Sequence, residues 1–148
     1  MNDFADVEVL LVEDNQSDAE MTIRALDRAN FLNKVYWVHD GVEALAFIRC
    51  TGPYESRDPQ QRLKLILLDL QMPRLSGLAV LHELKSSAQT CTIPIVVMTS
   101  SNQDRDIAES YRLGVNGYVN KPVKFTAFAE SVAKIGMYWL MVNQAPTQ

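Results

Sequence analysis

The segment Leu65-Ile66-Leu67-Leu68-Asp69-Leu70-Gln71-Met72-Pro73 decides the fold of this chain. Its apolar residues fall on both faces of a strand, which is typical of a central parallel strand. A buried helix could have the same composition, but the run is short for one. Pro73 lacks a backbone N–H and disfavours helical backbone at Met72, so the strand should end near Leu70. Asp69 then lies at the carboxyl end of the strand, where open α/β sheets bind ligands.

Four more segments have strand character, and helical patterns follow each strand. We predict strands at 7–12, 34–39, 93–98 and 115–119, and helices at about 17–30, from 40 onward, 76–87, 103–113 and 123–142. Ser17 with Glu20 and Asp40 with Glu43 are capping-box patterns at the first two helix starts, and Gly114 is expected as a left-handed C-cap. Five such repeats predict an α/β protein with a doubly wound parallel sheet and helices on both faces, because right-handed crossovers return the chain to the same edge.

Length, composition and charge restrict the class of protein. The chain has 148 residues, 47% hydrophobic and 22% charged, so we expect one domain over residues 1–148, with its core at about 7–142 and a polar tail at 143–148. No apolar run is long enough for a membrane span. The acidic residues 1–6 lack the pattern of a signal peptide, which predicts a cytoplasmic protein. The net charge of −4 argues against direct binding of nucleic acid.

Several polar features have ordinary explanations. Cys50 and Cys91 are too few for a disulfide framework and lack metal-binding spacing, so they are predicted to be free thiols. His39 and His82 are expected at the surface or half-buried. The polar connector at 51–63 is longer than most loops between a helix and a strand, and it is either an exposed specificity loop or a tolerated insertion.

Five side chains are expected to meet at the carboxyl edge of the sheet: Glu13, Asp14, Asp69, Thr99 and Lys121. Three carboxylates at one edge repel one another, so they need a cation or raised pKa values, and an all-oxygen set suits Mg²⁺. A metal, a lysine and a hydroxyl around Asp69 would support its attack on a phosphoryl group. Taken singly, Asp14 would be a helix N-cap and Lys121 a solvated charge, but their coincidence at successive strand ends favours a site.

Four motifs carry a resemblance to a known family. They are Val9-Leu10-Leu11-Val12-Glu13-Asp14-Asn15, Leu67-Leu68-Asp69-Leu70-Gln71-Met72-Pro73 with Gly77 after it, Met98-Thr99-Ser100, and Gly117-Tyr118-Val119-Asn120-Lys121-Pro122. In this order and spacing, the chain resembles a receiver domain of the two-component response regulators over about residues 7–135. The resemblance implies a flavodoxin-like (βα)5 fold with strand order 2-1-3-4-5. It also implies a signalling protein rather than an enzyme, one that catalyses only its own phosphorylation and dephosphorylation.

The resemblance also implies roles for the residues at the sheet edge. Asp69 would accept a phosphoryl group from a sensor histidine kinase. Mg²⁺ would be held by Asp14, Asp69 and the backbone carbonyl of Gln71, with Glu13 acting through water. A cis peptide bond would join Lys121 to Pro122.

Other positions match the part of the family that binds phosphate and transmits the signal. Thr99 and Lys121 would bind the phosphoryl group, and Thr99 and Tyr118 would rearrange on phosphorylation. That rearrangement would alter the face formed by the fourth helix, fifth strand and fifth helix. Gln71 and Ser101 occupy positions that tune dephosphorylation in this family.

A finer resemblance concerns the partner. The connector at 51–63, the segment Asp106-Ile107-Ala108-Glu109-Ser110-Tyr111, and Phe128 with the late Tyr138-Trp139-Leu140 are similar to single-domain regulators that partner cyanobacterial phytochrome-type light-sensing kinases. The resemblance therefore implies such a kinase as the phosphoryl donor.

The last predicted helix is apolar nearly all round at its far end. We predict that it forms a homodimer interface with residues Tyr111, Phe128, Ile135, Tyr138 and Trp139. The alternative is a helix end that packs on its own domain.

Two other functions compete with a phosphorylated switch. Haloacid-dehalogenase-type phosphatases are also phosphorylated on an Asp of their own that follows a strand. They have a second Asp two residues later, where this chain has Gln71. A pure interaction module would not need Asp14, Asp69, Thr99 and Lys121, all of which are present.

Overall fold

The computed structural model describes residues 4–146. Its strands are β1 (Val9–Val12), β2 (Val35–Val38), β3 (Leu65–Leu68), β4 (Ile95–Thr99) and β5 (Gly117–Asn120). They alternate with the helices α1 (Gln16–Arg28), α2 (Gly41–Arg49), α3 (Gly77–Lys85), α4 (Asp104–Arg112) and α5 (Phe125–Met137). Single 3₁₀ turns lie at Leu32–Lys34 and Gly52–Tyr54, and a π-helical turn at Tyr138–Val142 continues α5. The predicted alternation of strands and helices is confirmed.

All five strands are parallel, in the order β2-β1-β3-β4-β5, as predicted. The alternation of side chains along β3 explains why its sequence is continuously apolar. Ile66 and Leu68 pack into a core cluster on one face of the sheet, and Leu65 and Leu67 pack into a second cluster on the other face. The helices α1 and α5 contact each other, as do α2 and α3.

Local hydrogen bonds determine where the helices begin and end. The side chain of Asn15 accepts a hydrogen bond from the N–H of Asp18 at 2.9 Å, so Asn15 is the N-cap of α1, and the prediction that Ser17 starts the helix was wrong. Asp40 caps α2 as predicted, by accepting from the N–H of Glu43 at 2.8 Å. Gly114 follows α4 with a φ of 101°, the predicted left-handed conformation.

The connector at 51–63 is anchored by two buried side chains. The hydroxyl of Tyr54 donates to Glu43 at 2.7 Å. The guanidinium of Arg57 lies over the ring of Phe47 at 4.1 Å and donates to the carbonyl of the same residue at 2.5 Å. Neither of the two sequence-based alternatives predicted these anchors, which attach the connector firmly to α2.

The C-terminal segment differs from the single helix predicted at 123–142. Phe128 and Val132 are fully buried against the rest of the chain, and Leu140 in the π-helical turn is also buried. Because Phe128 is part of the core, the prediction that it lies in a dimer interface was wrong. No helix among residues 4–146 combines the length and apolar character needed to cross a membrane.

Candidate functional site

Strand register brings the predicted side chains to one edge of the sheet. The N–H of Asp69 donates to the carbonyl of Val12 at 3.1 Å, and the N–H of Lys121 donates to the carbonyl of Thr99 at 2.8 Å. These bonds continue the parallel ladders by one residue, so the side chains of neighbouring strand ends lie side by side. Glu13, Asp69 and Thr99 are buried at this edge, and Asp14 is exposed.

Asp69 is held by hydrogen bonds to both of its carboxylate oxygens. Its Oδ1 accepts from the Thr99 hydroxyl at 2.8 Å and from the N–H of Gln71 at 3.2 Å. Its Oδ2 accepts from Lys121 Nζ at 3.2 Å. Burial raises the pKa of this carboxyl, but a hydrogen bond with Glu13, the charge of Lys121 and the bonds from Thr99 and Gln71 outweigh burial and hold the pKa below its usual value. Asp69 is therefore an anion with a defined orientation.

Lys121 is the cation at the centre of the site. Its Nζ contacts Glu13 Oε1 at 2.5 Å and Asp18 Oδ2 at 2.8 Å, in addition to Asp69, and only 9% of its side chain is exposed. Burial lowers the pKa of Lys121, but the hydrogen bonds with Asp18 and Glu13 outweigh it and raise the pKa above the ordinary value. Lys121 is therefore fully charged at neutral pH.

Asp18 is a site residue that sequence reasoning missed. It lies in the first turn of α1, which begins directly over the edge of the sheet where β1 ends. The available signal was a carboxylate in the first turn of the helix that directly follows Glu13 and Asp14. Trp37 was also missed, and its indole N–H donates to the carbonyl of Glu13 at 2.7 Å.

The carboxylates of Glu13, Asp14 and Asp69 fit a divalent metal ion. One oxygen from each of them lies within 4.8 Å of the others. All of these donors are oxygen atoms, the protein ligands are few, and Asp14 is exposed to solvent. Mg²⁺ and Mn²⁺ bind at sites of this kind, where water completes their coordination. Without a metal, burial and then the adjacent Asp69 raise the pKa of Glu13 to about 8.

We expect the affinity for Mg²⁺ to rise with pH until about pH 8. Glu13 has a raised pKa of about 8, so at lower pH it carries a proton that a bound divalent cation would expel. The affinity should therefore change by up to about tenfold per pH unit below pH 8 and level off above it. Calorimetric titration with Mg²⁺ in two buffers of different ionisation enthalpy counts the released protons. Glu13→Gln should abolish the release, and proton-free binding to the wild type at pH 7 would contradict the prediction.

Ser101 links Thr99 to α4 and β5. Its N–H donates to the Thr99 hydroxyl at 3.4 Å, and its own hydroxyl donates to Asp106 in α4 at 2.5 Å. Its carbonyl accepts from the Tyr118 hydroxyl and from the Asn120 amide, both at 2.9 Å. Tyr118 is half-buried and is thus tied to the loop after β4. Asp106 and Asn120 were not assigned to the site by sequence reasoning.

Other predicted residues lie elsewhere or differ in geometry. Residues 4–146 contain no cis peptide bond, so the peptide between Lys121 and Pro122 is trans and the prediction of a cis bond was wrong for this structure. The trans form is the intrinsically preferred one, and here it is compatible with all three contacts of Lys121 Nζ. Tyr111 near the end of α4 and Tyr138 directly after α5 are both exposed. Ile135 and Trp139 are half-buried against the core.

Comparison with known proteins identifies the family. The model of the response regulator receiver domain matches residues 9–133. The response regulator Rcp1 of Synechocystis sp. is 35% identical over 138 residues, which cover 93% of this chain and 92% of the relative. A chain named "Probable methanogenesis regulatory protein FilR2", from Methanothrix harundinacea, is 36% identical over 138 residues, with 93% and 86% covered.

Solved structures agree with this assignment. The crystal structure of the phosphorylated cyanobacterial phytochrome response regulator RcpA has a TM-score of 0.86 and 37% identity, and 94% of this chain and 97% of that chain are covered. The Mn²⁺-bound form of Rcp1 has a TM-score of 0.85 and 34% identity, with 94% and 98% covered. The flavodoxin-like receiver fold is thereby confirmed, and the chain belongs to the family of response regulator receiver domains.

Proposed function

We propose that this protein is a phosphorylated switch in a two-component system, in which Asp69 accepts a phosphoryl group from a sensor histidine kinase. The observation that supports this most directly is the pairing of Asp69 with a lysine on one oxygen and a threonine hydroxyl on the other. Receiver domains accept phosphoryl groups from sensor histidine kinases, and the match of the family over residues 9–133 supports the same role here.

The chemistry follows from the positions of these side chains. An Asp69 oxygen attacks phosphorus, so a new O–P bond forms while the N–P bond to the donor histidine breaks and the electron pair leaves with the imidazole nitrogen. Lys121 Nζ and the Thr99 hydroxyl lie within reach of Asp69 and would pair with the phosphoryl oxygens. A Mg²⁺ ion, held by Asp14, Asp69 and the Gln71 carbonyl with Glu13 acting through water, would supply further neutralisation of phosphoryl charge.

Phosphorylation would alter the surface formed by α4, β5 and α5. A phosphoryl group adds about two negative charges next to Thr99 and Lys121. When the Thr99 hydroxyl turns toward the phosphoryl group, it loses the hydrogen bond from the Ser101 N–H. Ser101 is then free to move, and with it the Tyr118 hydroxyl and the Asp106 carboxylate that it contacts. We propose that Tyr118 then turns inward and that a partner binds the altered surface.

We propose that the phosphoryl donor is a phytochrome-type kinase and that the reaction takes place in the cytoplasm. The likeness to Rcp1 and to the phytochrome response regulator RcpA over nearly the whole chain supports this. Phosphotransfer from a phytochrome-type kinase should be at least about tenfold faster than from an unrelated histidine kinase at equal concentration, because a cognate pair has complementary surfaces. Equal rates would contradict the proposed partner while leaving Asp69 phosphorylation intact.

Acetyl phosphate tests the central proposal. Wild-type protein incubated with Mg²⁺ and acetyl phosphate should gain the mass of one phosphoryl group, and Asp69→Asn should not, because an amide oxygen is a poor nucleophile. Asp27→Asn, a change of the same kind at an exposed position of α1, is the matched control and should gain it like wild type. No gain in wild type would refute the switch and favour an interaction module, whereas continuous turnover of phosphomonoesters would favour a phosphatase.

We also propose a homodimer built on the end of α5. Tyr138 is 48% exposed and Met141 67%, and Tyr111 on α4 is 53% exposed. Together with half-buried Ile135 and Trp139, the side chains at the end of α5 offer apolar area of the kind that usually mediates association, and Tyr111 offers more on α4.

Introducing charged residues on that apolar surface should dissociate the proposed dimer. Tyr138→Glu with Met141→Glu should weaken self-association by at least about 100-fold, since two buried carboxylates would lack partners. Light scattering after size-exclusion chromatography at micromolar concentration measures the mass. Val42→Glu, at a 46% exposed apolar residue on α2, should leave it unchanged. A monomeric wild type would contradict the proposal.

A further inference from the structure

A second concave site lies at the opposite edge of the sheet from Asp69. It is a cleft of about 590 Å³ between the end of α2, the connector and the loop after α3. Leu63, two residues before β3, and Ile93, two residues before β4, are part of its wall. Because the strands are parallel, residues that precede them lie at the amino edge, and Asp69 and Lys121 lie at the carboxyl edge. The cleft is therefore separate from the site described above.

The cleft is basic within an acidic protein. Its lining includes Arg49, Arg57 and Arg62 and no Asp or Glu. The whole chain, in contrast, has 18 acidic and 14 basic residues and a net charge of −4. Three guanidinium groups around one cavity repel one another unless an anion lies between them. The cavity should therefore concentrate anions from solution.

Arg57 is the strongest indication of a ligand. Its side chain is buried, yet no carboxylate lies within ion-pair distance of it among the residues that the structure describes. It donates instead to the carbonyls of Phe47 and Gln61 and to the sulfur of Cys50. A buried charge normally has an ionic partner because desolvation is costly. The hydrogen-bond partners of Arg57 are all neutral, and the charge of Asp58 acts on it only from beyond ion-pair distance.

The other two arginines leave donors available to a ligand. Arg49 pairs with Glu83 across the surface, with both side chains about half exposed to solvent, so this pair is weak. Arg62 donates to the hydroxyl of Thr92, which is neutral. An arginine has five N–H donors, and an anion could pair with those that these contacts leave free.

We propose that this cleft binds a small organic phosphate. Arginine is the residue that pairs with phosphate oxygens through two parallel hydrogen bonds. The volume lies within the range of small-molecule sites, about 300–1,000 Å³. Apolar side chains of Ile48, Leu63 and Ile93 line the same cavity and would pack against the organic part. This site is independent of the phosphorylation of Asp69.

Nuclear magnetic resonance titration of the ¹⁵N-labelled protein with ADP tests the proposal, with pyrophosphate as the inorganic comparison. Chelator is present so that no metal occupies the carboxylate site. ADP should cause saturable shifts of the amides at 48–63 and 87–93, with half-saturation below about 1 mM, and should bind more tightly than pyrophosphate. The double variant Arg49→Gln with Arg62→Gln should bind ADP at least about tenfold more weakly. Arg105→Gln, on exposed α4, is the charge-matched control and should bind within about twofold of wild type.

Three results would overturn the inference. They are the absence of saturable shifts, shifts centred on Thr99 and Lys121 instead of the cleft, and unchanged affinity in the double variant. Equal affinity for pyrophosphate and ADP would overturn the assignment of an organic ligand to the apolar wall. Arg49 and Arg62 are at or near the surface, so their replacement tests binding without removing buried Arg57.

Discussion

Replacement of Lys121 with methionine is expected to slow phosphoryl uptake from acetyl phosphate by about 100-fold or more. Lys121 Nζ is the ammonium group that contacts Asp69, and it would neutralise charge on the phosphoryl oxygens as they approach. Methionine has a similar length and no charge, so the change removes the cation and leaves most of the packing. The rate of mass gain measures the effect.

The same variant is expected to lose about 3 kcal/mol of unfolding free energy at neutral pH without Mg²⁺. Buried Asp69 would lose its cation, and buried Glu13 would lose a hydrogen-bond donor. Saturating Mg²⁺ should restore part of this loss, because a divalent cation would supply the missing charge.

Urea unfolding with and without Mg²⁺ measures the change in stability. Lys124→Met is the matched control, since Lys124 is exposed and makes no side-chain capping bond at the start of α5. It should change the unfolding free energy by less than about 0.5 kcal/mol. A Lys121→Met variant that takes up phosphate at the wild-type rate would contradict the role of Lys121.

Gly77→Ala is expected to lower the unfolding free energy by about 3 kcal/mol or more and to impair phosphoryl uptake. A β-carbon at Gly77 would lie 2.2 Å from the carbonyl oxygen of Asp69 and 2.6 Å from the Cα of Leu70. Both are backbone atoms, so they cannot rotate away as a side chain could. The N–H of Gly77 also donates to the carbonyl of Leu70 at 2.9 Å, which holds α3 close to the end of β3. The backbone of Asp69 would therefore have to move.

Gly117→Ala provides the matched control. The nearest atom to a β-carbon at Gly117 is a methyl carbon of Val96 at 3.5 Å, an ordinary contact. This variant should stay within about 1 kcal/mol of wild type. Urea unfolding compares the two variants, and the mass assay reports phosphoryl uptake by whatever fraction is folded. If Gly77→Ala were as stable and as active as Gly117→Ala, the close approach to Asp69 would not matter.

Much of the fold could be predicted because its determinants are local. The alternation of buried strands with capped helices predicts a parallel sheet, and a residue after a strand must lie at the carboxyl edge. Glu13, Asp69 and Lys121 therefore meet as the sequence predicts. The error at the start of α1 is also local, since Asn15 lies two residues before Ser17 and can cap the same helix.

The amino-acid sequence by itself determined the class of fold, the strand order through family resemblance, and the set of side chains at the edge of the sheet. Only the tertiary structure decided that Asp18 joins Lys121, that Arg57 is buried on Phe47, and that Phe128 belongs to the core. The physical reason is that each of these features depends on contacts between different elements of the fold. Contacts between residues far apart in sequence depend on how each helix packs on the sheet, which no local periodicity encodes.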